Sequence, residues 1–125
     1  MREYIKVPVQ YLLKANLSFD ELVLIEPLAI GAHALNRALL KQNEFVLVIG
    51  AGPIGLGIAA LAKTITTNVV VADTNNNRLH FCKTQLGIEY VFNPAAINMQ
   101  QALADITNND MAEVVVDATG NRKAI

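Results

Sequence analysis

The sequence predicts an α/β chain whose core is a doubly wound parallel sheet with helices on both faces. Three observations carry that prediction. Short apolar runs rich in valine and isoleucine alternate with segments of helical periodicity, and a glycine-rich turn follows the first long run. Of the 125 residues, 53% are hydrophobic, enough to fill the core of one compact domain.

The elements follow in order along the chain. Tyr4 to Val9 alternates polar and apolar residues like a short half-buried strand. Ser18 and Glu21 have capping-box spacing, so a helical turn is expected to start there and to stop near Glu26 and Pro27. From Leu28 to Leu40 the apolar residues Ile30, Ala34, Leu35, Ala38 and Leu39 recur at helical spacing, with Lys41 at the C-terminal end of the dipole. Phe45 to Ile49, Asn68 to Ala72 and the run beginning with Glu113 to Val116 have the length and β-branching of buried parallel strands. Tyr90 to Phe92 is a further short strand. Helical patterns lie between them at Pro53 to Lys63, Asn77 to Gln85 and Ile97 to Asp105. This β-α-β-α-β-α-β order is that of a doubly wound sheet joined by right-handed crossovers, and it carries no internal repeat, low-complexity tract or linker. A complete dinucleotide fold of this kind has a fifth and sixth strand, so the chain is expected to hold the first nucleotide-binding half and to be part of a longer gene product.

Composition narrows the function. Ten basic residues against 11 acidic ones leave a net charge of -1, which invites neither nucleic acid nor an anionic membrane and suits a small-molecule ligand. Cys82 is the single cysteine, so the chain can form neither an internal disulfide nor a multi-cysteine zinc cluster by itself. No stretch approaches the roughly 18 apolar residues of a membrane span. A reducing, cytoplasmic setting is the expectation.

The chemistry is concentrated in Gly50-Ala51-Gly52-Pro53-Ile54-Gly55, a GxGxxG on the turn between the first buried strand and a helix. In a Rossmann fold the first glycine permits the tight turn, the second admits the pyrophosphate to the backbone, and the third lets the helix pack closely on the strand. Pro53 suits the first helical turn, whose N–H groups have no intrahelical acceptor. A purely structural glycine turn is the alternative. Asp73 ends the second strand near the roughly 20-residue interval at which an acid accepts the adenosine ribose hydroxyls, and its charge favours NAD over NADP. The same aspartate has a competing reading as the cap of the helix that follows. Arg78 is placed either over the adenosine or on a solvated helix face. Thr119 and Gly120, after the fourth strand, either line the nicotinamide side or belong to a plain loop. His33 and His80 qualify as general bases by chemistry alone, within helical patterns, and Cys82 reads as core packing.

Taken together, Glu26-Pro27-Leu28-Ala29, the helix with Gly31-Ala32-His33-Ala34, VLVIGAGPIG, Val71-Ala72-Asp73 with Arg78, and VVVDATG resemble the medium-chain, zinc-type alcohol and polyol dehydrogenase superfamily in order and spacing. The resemblance covers essentially the whole chain. Its EPLA-type stretch is similar to that of sorbitol, threonine and sugar-acid dehydrogenases, where other alcohol dehydrogenases have a cysteine. It implies that Glu26 lies by a catalytic zinc, as a ligand or holding the zinc-bound water; a buried acid capping the next helix is the alternative. It also implies that residues 1–27 are a remnant of the end of the catalytic domain, with Glu3-Tyr4-Ile5-Lys6-Val7-Pro8 resembling its EYVVVP-type stretch, and that residues 28–125 are an incomplete NAD-binding Rossmann domain. The remaining zinc ligands of the family lie in an upstream domain, and one carboxylate cannot hold zinc where about three protein ligands are needed.

The resemblance therefore implies an oxidoreductase that oxidises a secondary alcohol of a polyol or sugar acid by hydride transfer to NAD, with zinc in the parent enzyme and no catalytic residue within this chain. A homo-oligomer acting on a small alcohol or sugar-derived substrate is expected. A non-catalytic NAD-sensing module is the rival, disfavoured by the EPLA stretch; a methyltransferase is a further one, disfavoured by the Pro53-Ile54-Gly55 helix start.

Overall fold

The computed structural model describes residues 3–121. Four parallel strands, β1 (Val46–Ile49), β2 (Val69–Ala72), β3 (Tyr90–Phe92) and β4 (Val114–Asp117), form one sheet in the order β3-β2-β1-β4. Val46 of β1 registers with Val69 of β2 on one side and Val114 of β4 on the other, and Val71 of β2 registers with Val91 of β3. The chain thus steps outward from β1 to β3 and then returns to the far side of β1. That reversal puts the topological switch point between β1 and β4.

Alternation along β1 and β2 sorts the core into two layers, as the two-residue period of a strand requires. Val46, Val48, Val69 and Val71 are buried on one face with Leu35, Ile58, Ala59, Leu79 and Cys82 from the helices α2 (Ile25–Ala38), α3 (Pro53–Ala62) and α4 (Asn76–Thr84). Leu47, Val70 and Ala72 are buried on the other face with Leu103 of α5 (Met99–Thr107). Helices on both faces and a parallel sheet are the predicted α/β arrangement.

Several boundaries differ from the sequence reading. Tyr4 to Val9 forms no strand; Val9–Tyr11 is a single 3-10 turn, and Tyr4, Ile5 and Val9 are exposed. Alternation alone does not make a strand without a neighbour to complete its ladder, and the four-stranded sheet does not include this segment. The capping box is present: Glu21 N–H donates to the Ser18 hydroxyl, and the Ser18 N–H donates back to the Glu21 carboxylate at 2.8 Å. The helix it opens, α1 (Phe19–Leu22), stops short of the expected Glu26 and Pro27. Those two residues instead lie in the first turn of α2, which begins at Ile25, because proline is tolerated where the N–H would have no intrahelical partner. At the other end Leu39 is the C-cap, in the left-handed conformation at φ 54°, and is 72% exposed rather than part of the apolar stripe. Ile30 is likewise exposed. α5 starts two residues later than expected because Asn98 caps it, accepting from the Gln101 N–H at 3.2 Å.

Helix α2 lies against α3 through two glycines. A Cβ on Gly31 would stand 3.1 Å from Ile58 Cγ1 and 3.2 Å from the Ile58 backbone nitrogen, whereas one on Gly57 would meet the Leu28 Cδ2 at 3.2 Å. The first obstacle is backbone and cannot rotate away; the second is the end of a flexible side chain. Gly31→Ala is therefore expected to destabilise the chain by about 1–2 kcal/mol through overpacking, net of a helix-propensity gain of about 1 kcal/mol. Gly57→Ala, with the same gain, is expected to be neutral or stabilising. Urea unfolding of both variants checks the ordering, and equal midpoints would show that the crossing has room at both sites.

Candidate functional site

The C-terminal end of β1 carries the glycine turn. Gly50 has φ +97°, a conformation that costs a side-chain-bearing residue, and a Cβ there would also meet Thr119 Cγ2 at 3.0 Å. Gly55 has no alternative at all: a Cβ on it would fall on the carbonyl oxygen of Gly50. Gly52 is the N-cap of α3 and faces open space, with nothing within 4 Å of the position its Cβ would occupy. Pro53 occupies the first position of α3, followed by Ile54, and the first turn contains no acid. Gly50 thus makes the turn and Gly55 the close helix packing expected of them, and the backbone is laid bare at Gly52. An anion at this helix start would meet free N–H groups and the positive end of the dipole.

Asp73 closes the site from β2. Its Oδ2 accepts from the Ala51 N–H at 2.7 Å and its Oδ1 from the Asn75 N–H at 2.7 Å. The Arg78 guanidinium stands 3.6 Å from Oδ2; the Asp73 side chain is buried and that of Arg78 half exposed. Arg78 is therefore held toward the acid rather than only solvated on its helix. The helix cap is Asn75, whose Oδ1 accepts from the N–H groups of Asn77 and Arg78. Asp73 instead braces the glycine turn, a contact between residues 22 apart in sequence.

From β4 comes the third wall. The Ala118 N–H donates to the Ile49 carbonyl at 2.8 Å, extending the sheet to the end of β1. Thr119 then turns back, its hydroxyl and its N–H both donating to Asp117 Oδ1, at 2.7 and 2.9 Å. The hydroxyl bond, then the N–H bond, holds the Asp117 carboxyl below its ordinary pKa. Thr119 lines the cleft, while Gly120 beside it has φ +64° and is exposed.

Gly50, Gly52, Asp73, Arg78 and Thr119 share the wall of one cleft of about 660 Å³ at the switch point between β1 and β4. That is the place where open α/β sheets bind ligands. Thr74, Pro94, Ala95 and Asn121 also line it, with the strand-end residues Ile49, Ala72 and Ala118; sequence reasoning did not single out the first four, although the Asn93-Pro94 dipeptide after a strand was an available signal. A second hollow of about 600 Å³ between α2 and α3, lined by Leu35, Leu39, Leu61 and Ile65 among others, shares no residue with the cleft.

Other candidates are not brought together. Glu26 is exposed, which removes the reading of it as a buried cap. His33 and His80 are exposed on α2 and α4. Cys82 is buried in the core, where burial and, less strongly, the Asp73 charge push its thiol pKa up. Among the described residues no group of three or more His, Cys, Asp or Glu could hold a metal ion, and no helix is long and apolar enough to cross a membrane.

The family model for zinc-binding dehydrogenases matches residues 53–125. L-galactonate-5-dehydrogenase of Escherichia coli K12 is 44% identical over 124 residues, covering 98% of this chain and 36% of that protein. A zinc-type alcohol dehydrogenase-like protein of Haemophilus influenzae is 40% identical over 122 residues, covering 96% of this chain and 35% of that protein. Among solved structures, an E. coli oxidoreductase/dehydrogenase of unknown specificity matches with a TM-score of 0.81 at 30% identity, covering 90% of this chain and 32% of that one. An alcohol dehydrogenase of E. coli CFT073, solved with NADH, matches with a TM-score of 0.79 at 28% identity, covering 92% of this chain and 34% of that one. The chain spans about a third of the length of these relatives.

The β4 turn yields a titration prediction. Thr119→Val removes the hydroxyl donor and is expected to raise the Asp117 pKa toward the ordinary carboxylate value. Because the folded-state pKa is depressed, the stabilising contribution of Asp117 is present above its unfolded pKa and is lost as pH falls through the folded one; in the variant that loss begins at higher pH. A carboxyl-carbon NMR titration of both proteins measures the shift, and identical curves would deny the hydroxyl its role.

Proposed function

The chain belongs to the zinc-binding dehydrogenase family, and on that premise we propose that it is the NAD-binding portion of a zinc-dependent oxidoreductase. The observation that carries the reading is the Asp73 carboxylate lying against the glycine turn at the head of α3, inside the switch-point cleft. A carboxylate has about four acceptor positions, so the N–H groups of Ala51 and Asn75 leave capacity for ribose hydroxyls. In this reading Gly50, Gly52, Pro53, Ile54 and Gly55 present the pyrophosphate to the start of α3. Asp73 and Arg78 hold the adenosine side, and Thr119 and Gly120 border the nicotinamide side. NAD, when bound, supplies the acceptor for a hydride.

The names of relatives, among them L-galactonate-5-dehydrogenase and D-xylulose reductase, support a secondary alcohol of a polyol or sugar acid as the substrate of the whole protein. Glu26 is the residue proposed to face zinc. The described residues do not fit a zinc site on their own, so no step is derived through the metal and no catalytic residue is assigned here. Residues 1–27 are read as the end of a catalytic domain and 28–125 as the cofactor domain.

Asp73 sets cofactor choice in this reading. Its negative charge opposes a 2'-phosphate, and close like charges cost on the order of several kcal/mol at a partly buried site. Asp73→Ser is expected to shift the ratio of NADH to NADPH dissociation constants toward NADPH by about tenfold or more, read by fluorescence titration; an unchanged ratio removes Asp73 from the ribose site.

A homo-oligomer belongs to the same proposal. β4 hydrogen-bonds to β1 on one edge, and Val115 is 57% exposed. An apolar strand edge is a template for another chain, and charge on it discourages pairing. Light scattering over a concentration series is expected to show association that Val115→Lys weakens; a strict monomer at every concentration would end this part of the proposal.

A further inference from the structure

We propose that Asn93 is a positioning residue for the adenosine side of the cleft, tying the loop after β3 to the loop after β2. The inference rests on the reading of the cleft as a dinucleotide site. It starts from where the sheet ends. The Asp73 N–H donates to the Phe92 carbonyl at 3.1 Å, the outermost rung between β2 and β3. Beyond it the backbones part. Asp73, Thr74 and Arg78 form one lip of the cleft and Pro94 and Ala95 the opposite lip.

The Asn93 side chain spans that gap. Its Nδ2 donates to the Thr74 carbonyl at 3.2 Å and to Asn76 Oδ1 at 2.8 Å, while its Oδ1 accepts from the Ala95 N–H at 2.9 Å. Both amide protons and the carbonyl are used; Thr74 and Ala95 lie on opposite lips, and Asn76 begins α4 just behind Thr74. The residue before a proline is pushed toward extended backbone, so Pro94 narrows the directions from which the amide can reach across. Further order comes from the Asn93 carbonyl, which accepts from the N–H groups of Ala96 and Ile97. A residue at this position therefore governs the separation of the two lips without lining the cleft itself. Serine separates the two duties: its hydroxyl can still accept from the residue two positions on, but it is too short to reach Thr74 and Asn76.

The test is an NMR titration of the wild-type chain and of Asn93→Ser with two probes, AMP for the adenosine side and inorganic pyrophosphate for the glycine turn. The melting midpoint is recorded alongside. Loss of the two cross-loop bonds is expected to weaken AMP binding about tenfold, the size of one to two net hydrogen bonds, and to leave pyrophosphate binding within about twofold. Unchanged AMP affinity in the variant would overturn the positioning role while leaving the dinucleotide reading intact. An equal loss for both probes would also overturn it, since it would mark a general loosening of the fold. A wild-type chain that binds pyrophosphate but not AMP would defeat the adenosine reading and this inference with it.

Discussion

The head of α3 rests on the end of β1 at a distance that no side chain permits. Gly55 packs where a single methyl group would occupy the Gly50 carbonyl oxygen, and Gly50 itself turns at positive φ beside Thr119. Everything that gives the chain a cleft follows from that approach. With α3 seated so close, Ile58, Ala59 and Ala62 reach the sheet face formed by Val46, Val48, Val69 and Val71. α2 can then stack on α3 in its turn through Gly31 and Gly57. Two successive close approaches, strand to helix and helix to helix, are made by small residues where bulk would force the layers apart.

Much of this was legible because it is written locally. β-branched runs of four or five residues locate β1, β2 and β4, and the glycine spacing locates the turn between β1 and α3. Tyr4 to Val9 shows why the same pattern fails elsewhere: alternation states a preference, and only a neighbouring strand turns it into a ladder. The start of α2 was misplaced because Glu26-Pro27 looks like an end, while a proline in the first turn is compatible with a beginning. That Gly50, Gly52, Asp73 and Thr119 would meet at the ends of the strands could be read from sequence. The brace from Asp73 to Ala51 and the bridge made by Asn93 could not, since each joins segments separated by about 20 residues and neither leaves a periodicity.

Polar groups in and beside the cleft each perform a local structural duty. Asp117 fixes the Thr119 turn, Asn75 caps α4, and Asp73 receives two backbone N–H groups. No buried side-chain nitrogen or oxygen among the described residues lacks a partner. Satisfied donors and acceptors give preorganisation: loops already held by their own hydrogen bonds need less ordering when a ligand binds.

Under the proposed reading of the cleft, the bond from the Ala51 N–H to Asp73 bears on how the cofactor preference of such a domain could change. The acid proposed to discriminate between two dinucleotides is the acceptor for a backbone donor in the glycine turn, so exchanging it alone strands that N–H near a buried position. Drift toward the phosphorylated dinucleotide would have to bring a substitute acceptor, from a neighbouring side chain or an ordered water, either earlier or in the same step. In that reading, selectivity and turn rigidity rest on one side chain.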